Sequence, residues 1–245
     1  VPYYRGIYIE EEDSVMLESK NREAAAGKIN VAVILLRHLS NFTDFNVLER
    51  DERVHLYYTN NVDDITKADI ILLPGSKNTL DDLYELRRNG VAQAILKASQ
   101  EGATVMGICG GYQMMGLEVR DPEGVEGNVR MLPGLGLLPV ITTMQGDKVT
   151  RQVEFTFDGT EALCKGYEIH MGRTVPAEGS PPSPFNQLAD GREEGYQDKQ
   201  KKCLGTYIHG ILDNQPFIDF LLAPYIGKLG QQTFDYTAFK EEQYD

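Results

Sequence analysis

A single cysteine surrounded by glycines is the part of the sequence best suited to chemistry. Cys109 lies in "GICGGY", residues 107–112, directly after the apolar run "TVM". Glycine weakens regular structure, so Gly107, Gly110 and Gly111 together indicate a backbone bend too tight for side chains. The pattern G-x-C-x-G between a strand and a helix is typical of a nucleophile elbow, at the carboxyl end of a strand. The sequence therefore predicts a nucleophilic Cys109; the alternative is a packed cysteine in a glycine-rich turn.

The predicted bend would also activate the thiol and stabilise negative charge beside it. A helix N-terminus carries partial positive charge, which favours a thiolate over a thiol. The backbone N–H of Gly110 would point to where an oxyanion forms. In "LLPGSKNT", residues 72–79, Gly75 and Ser76 could present a second oxyanion donor, the alternative being a simple turn. This loop does not have the spacing of a Walker phosphate loop.

A cysteine nucleophile needs a base, and the chain contains four histidines. His209, in "GTYIHG", ends a predicted strand and precedes a glycine, so its imidazole could emerge at the same sheet edge as Cys109. His170, in "YEIHMG", lies in a similar position, and we interpret it as mainly structural. His38 and His55 lie early in the chain and are expected near strand ends or in loops. His209 is therefore the predicted base.

The elements that must position these residues are visible as continuous apolar runs. Such runs predict strands buried on both faces, over residues 29–36, 54–59, 69–75 and 104–109. Residues 79–102 have apolar side chains at helical spacing, with Thr79 as the predicted N-cap and a break at Gly90. Alternating buried strands and helices are typical of an α/β fold with a mostly parallel sheet flanked by helices.

The second half of the chain is predicted to be more β-rich. Its predicted strands cover residues 134–143, 150–157, 164–172 and 203–210. Residues 179–202 are loop-rich, and residues 214–229 are predicted to form a C-terminal helix.

Composition excludes several classes of partner. The formal net charge is −13 and the pI is about 4.8, which argues against a surface for nucleic acid or for anionic membranes. No apolar stretch reaches the about 18–20 residues of a membrane span, and the N-terminus does not resemble a signal peptide. The three cysteines do not have the spacing of metal ligands. We therefore expect no metal site, no disulfide framework and a reducing, cytoplasmic location.

Four motifs in this order resemble one family. "LLPGSKNT", "GICGGYQMMG", "GYEIHMGRT" and "GTYIHGILDN" are similar to the glutamine amidotransferase domain of the cobyric acid synthase family. The resemblance covers nearly the whole chain and implies a class I glutamine amidotransferase-like (flavodoxin-like) fold over residues 29–245. "VPYY…EEDS" and "LRHLSNFTDFNVLE" resemble the segment that joins that domain to an N-terminal ATP-dependent synthetase domain. Residues 1–28 are thus expected to be an interdomain linker, with the synthetase domain absent from this chain.

The resemblance implies a mechanism with L-glutamine as substrate. Cys109 would attack the side-chain amide carbon, while backbone N–H groups of Gly110 and of Gly75–Ser76 hold the oxyanion. His209 would protonate the departing ammonia and then activate the water that releases glutamate. No cofactor is expected in this domain. The ammonia would pass to the synthetase domain, which would use ATP and magnesium to amidate carboxylates of a corrinoid, an indirect partner of this chain.

The resemblance also assigns two supporting residues. Gln113 would hydrogen-bond the substrate or shape its pocket; the alternative is an ordinary residue in the first turn of a helix. Arg151, in "KVTRQV", would pair with the substrate α-carboxylate through a bidentate contact; the alternative is a solvated strand residue.

One position departs from related enzymes. These carry a glutamate two residues after the histidine, where this chain has Ile211. His209 would then be oriented by another group or by none, and its imidazolium would be less stabilised without an anionic partner. We therefore expect slow or partner-dependent glutaminase activity from this chain alone.

Three alternatives stay open at this point. The "GICGGYQ" core is shared by the branch that amidates lipid II in cell-wall synthesis with a Mur-ligase-like partner, although "GYEIHMGRT" favours the cobyric acid synthase branch. A second alternative is a non-catalytic binding domain that keeps the fold, and a third is a cysteine hydrolase of another amide. The presence of both Cys109 and His209 favours an enzyme.

Overall fold

Two large β-sheets and their surrounding helices build residues 24–229, the part of the chain that the computed structural model describes. Most of the predicted linker, residues 1–23, lies outside the described residues. The strands are β1 Ile29–Ile34, β2 Leu39–Ser40, β3 Val54–Thr59, β4 Ile70–Leu73, β5 Gly75–Ser76, β6 Thr104–Ile108, β7 Glu118–Arg120, β8 Met131–Pro133, β9 Val140–Phe157, β10 Cys164–Pro176, β11 Asn186–Leu188, β12 Glu193–Glu194, β13 Tyr196–Asp198, β14 Cys203–Thr206 and β15 Ile208–His209. The α-helices are α1 Asn46–Arg50, α2 Val62–Ile65, α3 Thr79–Arg88, α4 Val91–Gln100, α5 Gly110–Met115 and α6 Gln215–Leu222. Short 3₁₀ turns cover Phe42–Phe45, Ile211–Asp213 and Ala223–Lys228.

The first sheet is mostly parallel, as the apolar runs predict. Its strand order is β13-β14-β6-β4-β1-β3, and only β13 runs antiparallel to its neighbour. Every residue of β1, β4 and β6 is buried, because other elements cover both faces of the sheet. The predicted α/β class is confirmed.

The second sheet is antiparallel along β12-β11-β9-β10-β15, with β7 and β8 added beside β9. Here the prediction of separate strands over 134–143 and 150–157 is wrong, because β9 runs without a break from Val140 to Phe157. The polar residues 145–148 resemble a turn in sequence, and they lie in the exposed middle of β9, where the pairing with β10 shifts register between Thr143, opposite Arg173, and Lys148, opposite Met171. An exposed, bulged stretch of strand needs no apolar alternation, so the sequence pattern does not distinguish it from a turn.

The predicted strand over 203–210 is divided between the two sheets. Its first part, β14, pairs with β6 in the parallel sheet. Its second part, β15, pairs with β10 in the antiparallel sheet, and Tyr207 lies between the two parts. This division places His209 at the junction of the sheets.

The predicted helix over 79–102 is two helices, α3 and α4, separated at Gly90. Gly90 has φ of 86°, a left-handed conformation that favours glycine and ends the first helix. The predicted N-cap is off by one residue: Asn78, not Thr79, caps α3, and its side chain accepts a hydrogen bond from the N–H of Asp81 at 3.1 Å.

The predicted C-terminal helix over 214–229 is shorter in the structure. It ends at Leu222 and continues as the 3₁₀ turn Ala223–Lys228, in which Pro224 has no N–H to donate. No helix within residues 24–229 is both long and apolar enough to cross a lipid bilayer.

Candidate active site

Cys109 occupies a strained bend between β6 and α5. Its φ of 53° and ψ of −111° are unusual for a residue with a side chain, and such strain persists where the surrounding structure enforces it. The backbone N–H of Cys109 donates to the carbonyl of Thr206 at 2.8 Å, which ties the bend to β14. The predicted nucleophile elbow is confirmed as a conformation.

The glycines around Cys109 are required by close backbone contacts. A Cβ on Gly107 would lie 2.6 Å from the nitrogen of Tyr112, and one on Gly111 would lie 2.0 Å from the carbonyl oxygen of Leu73. Both neighbours are backbone atoms that cannot rotate away. The prediction that the bend is too tight for side chains is therefore confirmed.

The structure brings His209 to Cys109. The imidazole is 1% exposed, and burial alone would lower its pKa. Interactions with the carboxylate of Asp44 and the neighbouring thiol of Cys109 outweigh burial and raise the pKa of His209 to about 9. Among residues 24–229, Nε2 of His209 has no hydrogen-bond partner of ordinary geometry, which leaves it available to the thiol and to a leaving group.

Asp44 supplies the anionic partner that the sequence motif lacks. Its Oδ2 lies 2.7 Å from Nδ1 of His209, and its Oδ1 accepts a hydrogen bond from the N–H of Gly210 at 3.1 Å. The carboxylate is buried, at 4% exposure. Of the two alternatives that Ile211 left open, orientation of His209 by another group or by none, the structure shows the first.

Sequence reasoning missed Asp44 because it assigned "LRHLSNFTDFNVLE" to a joining segment. In the structure this segment follows β1, pairs through β2 with β5, and enters the 3₁₀ turn Phe42–Phe45 beside His209. A usable signal was present: Asp44 comes shortly after a buried parallel strand, and the carboxyl ends of such strands converge on ligand sites.

Two further side chains fix the plane of the imidazole. The ring of Tyr167 stacks on that of His209, with centroids 5.3 Å apart and planes 21° apart. The side-chain amide of Asn41 lies 3.1 Å from Nδ1 of His209, but it donates to Oη of Tyr167 at 2.9 Å, since a protonated Nδ1 already donates to Asp44. The imidazole of His209 is thus held at Nδ1 by Asp44 and across its ring face by Tyr167.

The predicted oxyanion donors lie side by side. The N–H of Lys77 donates to the carbonyl oxygen of His38 at 2.9 Å, beside the β2–β5 ladder. Because successive N–H groups of a strand point to opposite edges, the N–H of Ser76 points away from β2. There it meets Gly110, whose Cβ, if present, would lie 2.8 Å from the nitrogen of Ser76. A Cβ on Gly75 would lie 3.4 Å from Cε1 of His209. The three residues therefore border the thiol and the base together.

Gln113 is buried and joins three elements. Its Nε2 donates to the carbonyl of Met171 at 2.8 Å and to Oη of Tyr207 at 3.2 Å, and its Oε1 accepts from Thr79 at 3.0 Å. These bonds hold α5 against β10, where the carbonyl of Ile169 lies 3.6 Å from Sγ of Cys109. Gln113 thus shapes the wall beside the thiol, and a direct contact with substrate stays a prediction.

The structure does not bring Arg151 to the thiol. Arg151 pairs with Glu168 across β9 and β10, whereas Tyr167 pairs with His209 across β10 and β15. Successive residues of a strand point to opposite faces, so the ion pair of Arg151 and Glu168 lies on the face away from His209. The role of Arg151 toward the substrate α-carboxylate stays a prediction.

His170 lies on this same far face and packs as a structural residue would. Its ring stacks on Tyr207 with centroids 3.8 Å apart, and its Nδ1 lies 3.2 Å from the carbonyl oxygen of Gly172. Both aromatic residues line a cavity of about 580 Å³ between the sheets. Within residues 24–229, no group of three or more histidine, cysteine or acidic side chains is arranged to hold a metal ion.

Comparisons with known proteins agree with the motifs. The profile of the CobB/CobQ-like glutamine amidotransferase domain matches residues 30–217. Cobyric acid synthases of Bacteroides fragilis and Phocaeicola vulgatus are each 70% identical to this chain, covering all of it and 49% of the relative. The cobyric acid synthase of Parabacteroides distasonis is 56% identical, covering all of the chain and 50% of the relative. The chain thus spans about half the length of the curated relatives it matches.

Solved structures share the fold at low sequence identity. The structure of PurLQS from Thermotoga maritima matches with a TM-score of 0.60 at 17% identity, covering 80% of this chain and 99% of that chain. A structure described as a glutamine amidotransferase matches with a TM-score of 0.57 at 16% identity, covering 79% of this chain and 97% of that chain. At such identities the likeness shows the fold alone.

Proposed function

Because the chain belongs to the CobB/CobQ-like glutamine amidotransferase domain family, we propose that it is the ammonia-producing module of a cobyric acid synthase. The observation that carries this proposal is a thiol on a strained bend beside an imidazole that a buried carboxylate supports. The 70% identity to cobyric acid synthases over the whole chain supports this branch over the lipid II branch.

The first half of the proposed reaction forms a thioester. The Cys109 thiolate attacks the side-chain amide carbon of glutamine, and the carbonyl oxygen becomes an oxyanion held by the N–H groups of Ser76 and Gly110. The imidazolium of His209 gives its Nε2 proton to the amide nitrogen. The carbon–nitrogen bond then breaks, which releases ammonia and leaves the γ-glutamyl thioester on Cys109.

The second half regenerates the thiolate. Neutral His209 takes a proton from water, and the resulting hydroxide attacks the thioester carbon. The carbon–sulfur bond breaks, glutamate leaves, and the thiolate and imidazolium are restored. Asp44 accepts a hydrogen bond from Nδ1–H of His209 throughout and stabilises the imidazolium, as the third member of a catalytic triad does.

The half of the relatives that this chain does not cover is the proposed partner. We expect an N-terminal synthetase domain to use ATP and magnesium to amidate corrinoid carboxylates with the ammonia, in the cytoplasm. The domain boundary at residue 29 and the interdomain linker over residues 1–28 also remain predictions.

Replacing the nucleophile tests the proposal. In the full protein that carries this chain, Cys109→Ser should abolish amidation from glutamine and leave amidation from added ammonium salts unchanged. Cys203→Ser is a matched control, because the buried Cys203 donates to a carbonyl at 3.4 Å as a serine could. Loss of both activities in a folded Cys109→Ser variant, or loss of neither, would contradict the proposal.

A further inference from the structure

A buried carboxylate outside the catalytic residues connects both sides of the candidate site. Asp82 lies in the first turns of α3 and is 1% exposed. It accepts hydrogen bonds from the N–H of His38 at 3.1 Å, from Nδ1 of His38 at 3.0 Å and from Oγ of Ser76 at 2.5 Å. The mechanism above does not use it.

The first set of bonds holds the loop of Gly75 and Ser76, which carries the second proposed oxyanion donor. Ser76 Oγ donates to Asp82 and accepts from the N–H of Asn78 at 3.0 Å, so this hydroxyl is held from both sides. The backbone N–H of the same residue points to Gly110, the position proposed for the oxyanion. A shift of the Ser76 side chain would therefore move the amide donor.

The second set of bonds holds the segment that carries the histidine's partner. His38 is bonded to Asp82 through both its backbone and its ring, and it immediately precedes β2. Strand β2 pairs with β5 and leads directly to Asn41 and Asp44. Asp82 therefore fixes the start of the segment whose end orients His209.

We propose that Asp82 is a positioning residue that sets the oxyanion donor of Ser76 and the carboxylate of Asp44 relative to each other. This inference rests on the proposed glutaminase function. A charged oxygen pair can accept all three donors at once, whereas an asparagine in its place offers one oxygen and two N–H donors. Asp82→Asn should therefore weaken the attachment of both Ser76 and His38, with little change in side-chain volume.

The test separates positioning from general stability in the full protein that carries this chain. Asp82→Asn should lower kcat for glutamine hydrolysis by about 10- to 100-fold, because misplaced donors lose transition-state stabilisation. Alkylation of Cys109 by iodoacetamide passes through no oxyanion, so its rate should stay within about threefold. Asp81→Asn, the exposed neighbour on the same turn, should keep kcat within about threefold.

A second variant keeps the inference testable if Asp82→Asn does not fold. Ser76→Ala removes one donor to Asp82 and should also lower kcat. In the Ser76→Ala background, Asp82→Asn should cost less than it does alone, because residues that act through one bond are not additive. Unchanged kcat in Ser76→Ala, full multiplication of the two effects, or a parallel fall in alkylation would overturn the inference. An inactive but folded wild-type protein would instead contradict the proposed function.

Discussion

Oδ2 of Asp44 lies 2.7 Å from Nδ1 of His209, although 165 residues separate the two in the chain. The contact gives the site a carboxylate, a base and a nucleophile without the glutamate that related enzymes carry two residues after the histidine. It also changes the expectation for activity: the stated reason for slow turnover, a missing anionic partner, does not apply.

Removing the charge of Asp44 should impair catalysis more than binding. We expect Asp44→Asn to lower kcat for glutamine hydrolysis by about 10²- to 10⁴-fold with little change in KM, since the imidazolium loses its stabilising partner. Steady-state kinetics measure this directly. Asp213→Asn is the control, because Asp213 is a nearby acid that interacts with Asp44 rather than with His209. Equal losses in both variants would contradict a specific role for Asp44.

The raised pKa of His209 predicts how stability depends on pH. Its pKa rises from 6.5 to about 9 on folding, so the folded protein binds the proton more tightly than the unfolded chain. The resulting stabilisation is fully present below pH 6.5 and is lost as the pH rises to about 9. Urea unfolding of the wild type and of His209→Gln should therefore show a difference in unfolding free energy that shrinks over this range. A constant difference would show that folding does not raise the pKa of His209.

Adding one methyl group at Gly111 should disrupt the fold. The new Cβ would lie 2.0 Å from the carbonyl oxygen of Leu73, in the middle of the parallel sheet. We expect Gly111→Ala to lower the free energy of unfolding by at least about 3 kcal/mol, measured by urea denaturation. Gly227→Ala, where no atom lies within 4 Å of the added Cβ, should change it by less than about 0.5 kcal/mol. A stable Gly111→Ala variant would contradict the tight packing of α5 on β4.

The ion pair of Arg151 predicts an effect on acid stability. Burial would raise the pKa of Glu168, but His170 and Arg151 lower it to about 2, from 4.5 in the unfolded chain. This stabilisation is present above pH 4.5 and is lost as the pH falls to about 2. Arg151→Gln should therefore be less stable than the wild type at neutral pH, with a difference that narrows in acid.

The same variant tests the predicted contact with substrate. A rise in KM for glutamine in Arg151→Gln, absent in the exposed control Arg173→Gln, would support the contact with the α-carboxylate.

For the acid-stability prediction, a difference in unfolding free energy between wild type and Arg151→Gln that stayed constant from pH 7 to pH 3 would contradict the role of Arg151 in lowering the pKa of Glu168.

Local sequence patterns predicted the parts of this structure that depend on local geometry. The bend at Cys109 is one such part, because three glycines within five residues leave few other conformations. The buried parallel strands are another, because only a sheet covered on both faces hides such long apolar runs.

The parts that sequence reasoning missed depend on distant partners. Asp44 contacts His209 only through folding of the whole chain: its place after a buried strand points to the ligand edge of the sheet but not to His209 as its partner. The extent of β9 follows from its pairing with β10 on both sides of a register shift between Thr143 and Lys148, which its own residues do not indicate. The far-face position of Arg151 follows from strand register, which spacing along the chain does not fix.

The passage of one chain segment from the first sheet to the second has a consequence for how the candidate site is assembled. Cys109 follows a strand of the parallel sheet, and His209 ends a strand of the antiparallel sheet. Tyr207 is the single residue between β14 and β15. A chain in which only the parallel sheet had formed would hold the Cys109 thiol without the imidazole of His209 beside it. Under the proposed function, turnover of glutamine therefore reports that both sheets have formed, because neither sheet alone holds the thiol and the imidazole together.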